Sequence, residues 1–162
     1  GRFGGDARRW VGPGTGLDDE GVAHKAKIVD QAFARHGLLN GDPVSLLAHY
    51  GGRELAAIAG ATLAARIRSI PVMLDGFISS AAASALTAGD RLSALDHCEI
   101  SHMSAEPGHL PLAVALRKQP IVDLGMRLGE GSGAATTTLL VRAALATHNG
   151  MATFAEAGVS NA

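Results

Sequence analysis

Residues 123–133 read Asp-Leu-Gly-Met-Arg-Leu-Gly-Glu-Gly-Ser-Gly, and what flanks this stretch decides the fold. Before it lies a short apolar run, Pro120-Ile121-Val122; after it comes an Ala/Thr/Leu pattern of helical spacing over residues 134–147. The succession is strand, glycine loop, helix. Glycines in such a loop remove Cβ atoms, so the backbone can turn left-handed and a flat ligand can approach closely. At the carboxyl end of a parallel strand, this is where α/β proteins place their ligands. One carboxylate, Glu130, stands between two of the glycines.

The same unit recurs upstream. Residues 71–75 form an apolar strand followed by Gly76 and a helical stretch over 77–88. Residues 97–102 give a second strand and 107–118 the next helix, with 121–124 as the third strand. Strands alternating with helices imply parallel pairing through right-handed crossovers. The amino-terminal third is helical. Asp18 or Asp19 caps a helix carrying Val22, Val29, Ala32, Phe33 and His36 at helical spacing, and Gly37 stops it. Asp42-Pro43 starts a second helix that ends near Gly51-Gly52, and residues 53–68 form an Ala-rich third. Residues 1–15, rich in Gly and Arg, read as loop or as the end of an element that begins upstream. The expectation is one α/β domain over residues 1–162: a Rossmann-like parallel sheet, three-layered with helices on both faces. Three strands are few for so much helix, so the sheet is expected to be incomplete. Residues 148–162 read as a tail completing a small helical part.

Bulk properties narrow the function. The 162 residues are 47% hydrophobic with a formal net charge of −1, which fits a packed core and gives no basic footprint for nucleic acid. A single cysteine, Cys98, excludes an internal disulfide framework and fits a reducing compartment. No apolar run approaches the roughly 20 residues that span a bilayer, and no charged-then-apolar leader opens the chain. The first residue is Gly1 rather than methionine, which fits a processed product, a tag remnant or a piece of something longer.

Three places carry candidate chemistry. Glu130 has two readings at this point: a carboxylate at a helix N-terminus, worth about 1 kcal/mol or less, or a general base on a glycine-lined pocket floor. The turn Gly12-Pro13-Gly14-Thr15-Gly16, with Lys25 beyond it, is able to cradle a phosphate through backbone amides and a lysine point charge. It is not a Walker sequence, and Asp18, Asp19 and Glu20 would repel an anion facing them, so an ordinary capped turn is the competing reading. In Ser101-His102-Met103-Ser104-Ala105-Glu106-Pro107-Gly108-His109, two histidines and a glutamate raise a metal site. A strand-to-helix turn scatters them, however, and no third histidine stands at helical spacing, so no metal is expected. Ser104 and Glu106 read as turn and helix-start residues, with Pro107 at the first helical position. Asp75, ending a strand before Gly76, shares the sheet edge of Glu130, and Ser79 and Ser80 open the helix there.

Five segments together resemble one family. They are residues 11–21 (VGPGTGLDDEG), 51–61 (GGRELAAIAGA), 71–80 (PVMLDGFISS), 104–109 (SAEPGH) and 124–135 (LGMRLGEGSGAA). In order, and along nearly the whole chain, they resemble the nicotinate-nucleotide–dimethylbenzimidazole phosphoribosyltransferases of cobalamin lower-ligand synthesis. The resemblance implies transfer of phosphoribose from nicotinate mononucleotide to 5,6-dimethylbenzimidazole, giving nicotinate and α-ribazole 5′-phosphate. It implies Glu130 as the general base, Leu128 and Gly129 lining the base pocket, and Lys25 on the phosphate with Gly14, Thr15 and Gly16. Asp75, Ser79, Ser80 and Ser104 are implied around the nucleotide. No metal or redox cofactor is implied; a homodimer is. Family members are about twice as long, and an upstream segment of the form GEMGIGNTT, which supplies much of the phosphate cradle, is not found here. The chain therefore resembles a carboxyl-terminal half, expected to be weakly active or inactive by itself and to need an amino-terminal half. Thr136-Thr137-Thr138 stands where the family pattern is more apolar. The alternatives are a non-catalytic split subunit binding a nucleotide or benzimidazole, and a related transferase acting on another base.

Overall fold

A computed structural model describes residues 3–39 and 42–159; the first two residues of the predicted opening loop and the last three of the predicted tail lie outside them. The elements run α1 (Asp19–His36), α2 (Pro43–Tyr50), α3 (Arg53–Ile67), β1 (Val72–Leu74), α4 (Phe77–Ser84), β2 (Cys98–Ile100), α5 (His109–Ala115) and α6 (Ser132–Gly150), with short 3-10 turns at Ala7–Arg9, Ala85–Thr87 and Leu92–Leu95. The fold is mixed α/β around a small parallel sheet.

Local chemistry accounts for the helix boundaries. Asp18 accepts from the Gly21 amide at 2.9 Å and opens α1; Gly37, at φ +68°, closes it. Asp42 accepts from the amides of Val44 and Ser45, and Pro43 fills the first helical position, where no N–H is needed. Both carboxylates satisfy helix amides that would otherwise lack a partner.

β1 pairs with β2 in parallel, Val72 opposite Cys98, Met73 opposite Glu99 and Leu74 opposite Ile100. Leu74, Cys98 and Ile100 are buried with Ala83, Leu95, Leu112, Ala113 and Leu116, and Trp10 and Phe77 pack against this core. Burial pushes the Cys98 thiol up to about 11, so it stays protonated inside the core. The third predicted strand is reduced to one parallel bridge, Val122 to His102. Pro120 has no amide to extend it, and Gly125, at φ +64°, interrupts the extended run before Met126, whose carbonyl accepts the Ala105 amide at 3.0 Å. The contact still runs alongside β2: Ile121 and Val122 donate to the carbonyls of Ile100 and Ser101, and Met103 donates to that of Val122.

Two helices differ from the sequence expectation. α5 begins at His109 rather than Pro107. Ser104 Oγ accepts the Glu106 amide at 3.3 Å and the Glu106 carbonyl accepts the His109 amide at 3.0 Å, which makes 104–108 a turn. α6 extends to Gly150, so residues 148–150 are its last turn; residues 151–159 follow it, exposed throughout.

Candidate active site

The carboxyl ends of β1 and β2 open on a cavity of about 650 Å³. Its walls come from five distant segments: the glycine turn at 12–15 with Lys25, Ile58 of α3, the β1–α4 junction, the β2–α5 turn, and the loop at 127–131. Of the residues singled out in the sequence, Gly14, Thr15, Lys25, Asp75, Ser79, Ser104, Leu128, Gly129 and Glu130 all line it. Ser80 and Gly16 do not. Ser80 is wholly buried on the inner face of α4, its Oγ 3.4 Å from His109 Nε2. Helical spacing turns it about 100° from Ser79 and into the core. Gly16 lines instead a neighbouring cavity of about 340 Å³ together with Gly14, Thr15 and Lys25, its amide donating to Pro13 O at 3.3 Å.

Glu130 sits at the mouth, exposed, at φ +57° between Gly129 (+78°) and Gly131 (+76°). A left-handed glutamate costs roughly 1–2 kcal/mol, and such strain concentrates at functional sites. Among the described residues its carboxylate has no hydrogen-bond partner. The helix-cap role open to it in the sequence belongs instead to Asp75, whose Oδ1 accepts the Ala134 amide at 2.9 Å in the first turn of α6. Ser132 closes the loop from below, its amide and Oγ both donating to Gly129 O. The loop is thus fixed from two sides and leaves the Glu130 carboxylate unengaged.

The glycine turn is held from both flanks. Lys25 Nζ donates to Gly12 O at 2.7 Å, and Glu106 Oε1 accepts the Gly14 amide at 3.1 Å. A Cβ on Gly12 would lie 2.3 Å from Glu106 Oε2 and 2.6 Å from Pro107 Cδ, so this close approach requires glycine. Of the three predicted cradle amides, those of Gly14 and Gly16 are thus engaged within the protein. Lys25 retains two further N–H donors for a ligand.

Glu106 is more than a helix-start residue. Its carboxylate also lies 3.7 Å from Arg127 Nη2, joining the glycine turn to the Glu130 loop across the cavity. Glu106, Arg127 and His102 line the cavity without having been chosen from the sequence as functional residues. For His102 a signal existed, since it follows the carboxyl end of β2 as Asp75 follows that of β1. His102 and His109 are both buried, His102 1% and His109 0% exposed. Desolvation first, then the neighbouring His102, depresses His109 to about 4. His109 Nδ1 accepts the Ser104 amide at 2.8 Å and thereby positions the Ser104 wall.

A smaller cavity of about 240 Å³ lies among α1, α2, α4 and the opening turn, lined by Trp10, Phe33, Leu46, Tyr50 and Phe77 but by no charged side chain. It offers mainly apolar volume, with the hydroxyls of Tyr50 and Ser84 among its lining. Among the described residues no cluster of His, Cys, Asp and Glu could hold a metal ion, and no helix is long and apolar enough to cross a membrane.

Known proteins resemble the chain in sequence and in fold. A family model described as Phosphoribosyltransferase matches residues 2–159. A nicotinate-nucleotide–dimethylbenzimidazole phosphoribosyltransferase of Rhizobium johnstonii is 55% identical over 159 residues, 98% of this chain and 47% of the relative. A protein of the same name from a Sinorhizobium species is 54% identical over 161 residues, again covering 47% of the relative. The crystal structure of CobT from Thermus thermophilus superposes with a TM-score of 0.86 at 41% identity, over 96% of this chain and 46% of that one. The chain spans about half the length of the curated relatives it matches.

Proposed function

The chain belongs to the phosphoribosyltransferase family, and from that premise we propose that it carries the general-base half of a nicotinate-nucleotide–dimethylbenzimidazole phosphoribosyltransferase. The observation that carries the reading is the cavity itself. It brings Lys25 and the glycine turn into one enclosure with an unengaged carboxylate, Glu130, 105 positions further along the chain.

Glu130 removes the proton from one nitrogen of 5,6-dimethylbenzimidazole, and the other nitrogen attacks the anomeric carbon of nicotinate mononucleotide. The glycosidic C–N bond breaks, its electron pair leaves on the pyridine nitrogen, and nicotinate departs from the opposite face. Displacement on that line inverts the carbon and turns a β nucleotide into α-ribazole 5′-phosphate. Holding two flat rings on either side of one ribose supplies a large share of the rate; the base adds about 10²–10⁴-fold. Lys25 meets the phosphate as a point charge, with Thr15 beside it. Leu128, 65% exposed, and Gly129 form the apolar lip over which the benzimidazole slides. Asp75, Ser79 and Ser104 surround the nucleotide, and the reaction as written calls on no metal or redox cofactor.

The partner of this half is a polypeptide equivalent to the remainder of the longer relatives. It completes a wider Rossmann-like parallel sheet with helices on both faces, and it covers α6. That helix leaves Leu139, Leu140 and Leu145 exposed, with Met151 and Phe154 beyond, and a helix apolar on so much of its surface is normally buried. The completed enzyme is assigned to the cytoplasm and to a homodimer, both on family resemblance.

The test is Glu130→Gln in the complex of this chain with the amino-terminal half of the Rhizobium johnstonii relative. Turnover is expected to fall at least 100-fold with nicotinate mononucleotide affinity held within threefold. Turnover surviving within fivefold would refute the assignment of the base.

A further inference from the structure

We propose that His102, on the cavity floor, is a ribose-binding residue: its Nε2 accepts a hydrogen bond from a ribose hydroxyl of the nucleotide. This rests on the functional reading above.

The tautomer follows from the hydrogen bonds around the ring. Ser101 Oγ donates its one proton to Asp75 O at 2.6 Å. Towards His102 Nδ1, 3.3 Å away, the same Oγ is therefore an acceptor, and Nδ1 carries the ring hydrogen. Nε2 is left with a lone pair. Among the described residues nothing donates to it, although the side chain is only 1% exposed. A buried acceptor without a donor is costly and calls for an explanation.

The ring cannot turn away to find one. On one side a Cβ on Gly133 would fall 1.8 Å from Nδ1 and 2.4 Å from Cε1, so the imidazole lies against the backbone of α6. On the other side the Nε2–Cε1 edge faces Gly76. The position a Cβ would take on Gly76 is 3.3 Å from Nε2 and 3.0 Å from Cε1, and glycine leaves it open. Gly76 and His102 both line the cavity. The lone pair therefore looks into substrate space through the gap that a side chain at position 76 would close.

Substrate chemistry then selects the donor. Dimethylbenzimidazole has one N–H, and that proton goes to Glu130. The nicotinate ring and carboxylate have no donor at neutral pH, and the ionised phosphate contributes acceptors. The 2′ and 3′ hydroxyls of the ribose remain. A hydroxyl held at the floor would fix the sugar beneath the carbon under attack.

The experiment is an NMR titration of the complex of this chain with the amino-terminal half of the Rhizobium johnstonii relative, using nicotinate mononucleotide and its 2′-deoxy and 3′-deoxy analogues, on the wild type, His102→Phe and His102→Gln. The wild type is expected to bind one deoxy analogue about five- to tenfold more weakly than the parent nucleotide, the scale of one neutral hydrogen bond. His102→Phe should weaken the parent by the same factor and leave that analogue unchanged, so the two losses do not add. His102→Gln, whose amide oxygen accepts, should recover part of the discrimination; should the Phe variant not fold, the wild-type and Gln arms carry the test. A wild type that binds all three nucleotides equally, or a Phe variant that discriminates as fully as the wild type while binding the parent equally well, overturns the assignment. Failure of the wild type to bind any of the three refutes the functional reading itself, a result distinct from loss of discrimination alone.

Discussion

Gly133→Ala is expected to destabilise the protein by roughly 2–4 kcal/mol, although alanine is the better helix former. The added methyl would sit 1.8 Å from His102 Nδ1, 2.4 Å from Cε1 and 2.6 Å from Cγ. These are atoms of a buried ring that lies against the backbone of α6, so the methyl must displace either the ring or the helix. Overpacking of this kind costs about 1–3 kcal/mol. Relieving it by moving α6 would stretch two bonds, Ala134 N to Asp75 Oδ1 at 2.9 Å and Thr137 Oγ1 to Ser101 O at 3.2 Å, at about 1–2 kcal/mol each. Helix propensity works the other way, by about 1 kcal/mol at most in a first turn. Gly60→Ala is the matched control. Gly60 lies exposed within α3, and a Cβ there meets nothing within 4 Å, so the same substitution should stabilise by about 0.5–1 kcal/mol. Urea unfolding of both variants, read as a midpoint shift at constant slope, decides the matter. Shifts in the same direction, or a Gly133→Ala midpoint at or above wild type, would show that the wedge of His102 between two glycines is not what fixes α6.

Three further outcomes follow from the site. His109 is depressed to about 4, first by burial. The unfolded chain therefore takes up a proton that the folded chain refuses; stability is full above pH about 6.5 and falls by up to about 3 kcal/mol as pH drops towards 4. His109→Gln should flatten that part of the pH–stability curve, and an unchanged slope would contradict it. At position 130, Glu130→Gly should be about 1 kcal/mol more stable than Glu130→Ala in thermal unfolding, because both lack the carboxylate and only glycine adopts φ +57° without strain; equal stabilities would mean that the loop relaxes freely. Lys25→Gln should weaken nicotinate mononucleotide about 10–100-fold in calorimetric titration while leaving the phosphate-free riboside within twofold. Equal losses for both would place the lysine's role in the turn alone.

The share of this legible in the sequence follows the range of the interactions. Asp18 and Asp42-Pro43 set helix starts within three residues of themselves, and the structure keeps both starts. The segment at 121–124 was less legible: apolar composition permits a strand, but pairing depends on partners and on Pro120 and Gly125 at its ends. The start of α5 was displaced because Ser104 and Glu106 use their hydrogen bonds to build a turn. Ser79 and Ser80 look equivalent in sequence, yet one is on the cavity wall and the other in the core, a difference set by the α4 rotation against α5.

By itself, then, the sequence determined the helices with their caps, the α/β alternation, the glycine loop bearing Glu130 and, through five ordered motifs, the family. The tertiary structure alone decided which carboxylate does what. Asp75 reaches 59 positions to cap α6, Glu106 reaches 92 to hold the glycine turn, and Glu130 is left unengaged. No local pattern encodes those choices. A cap or a period is settled by neighbours along the chain, whereas the choice among three chemically similar carboxylates depends on which backbone amide the packed helices and parallel strands bring within about 3 Å.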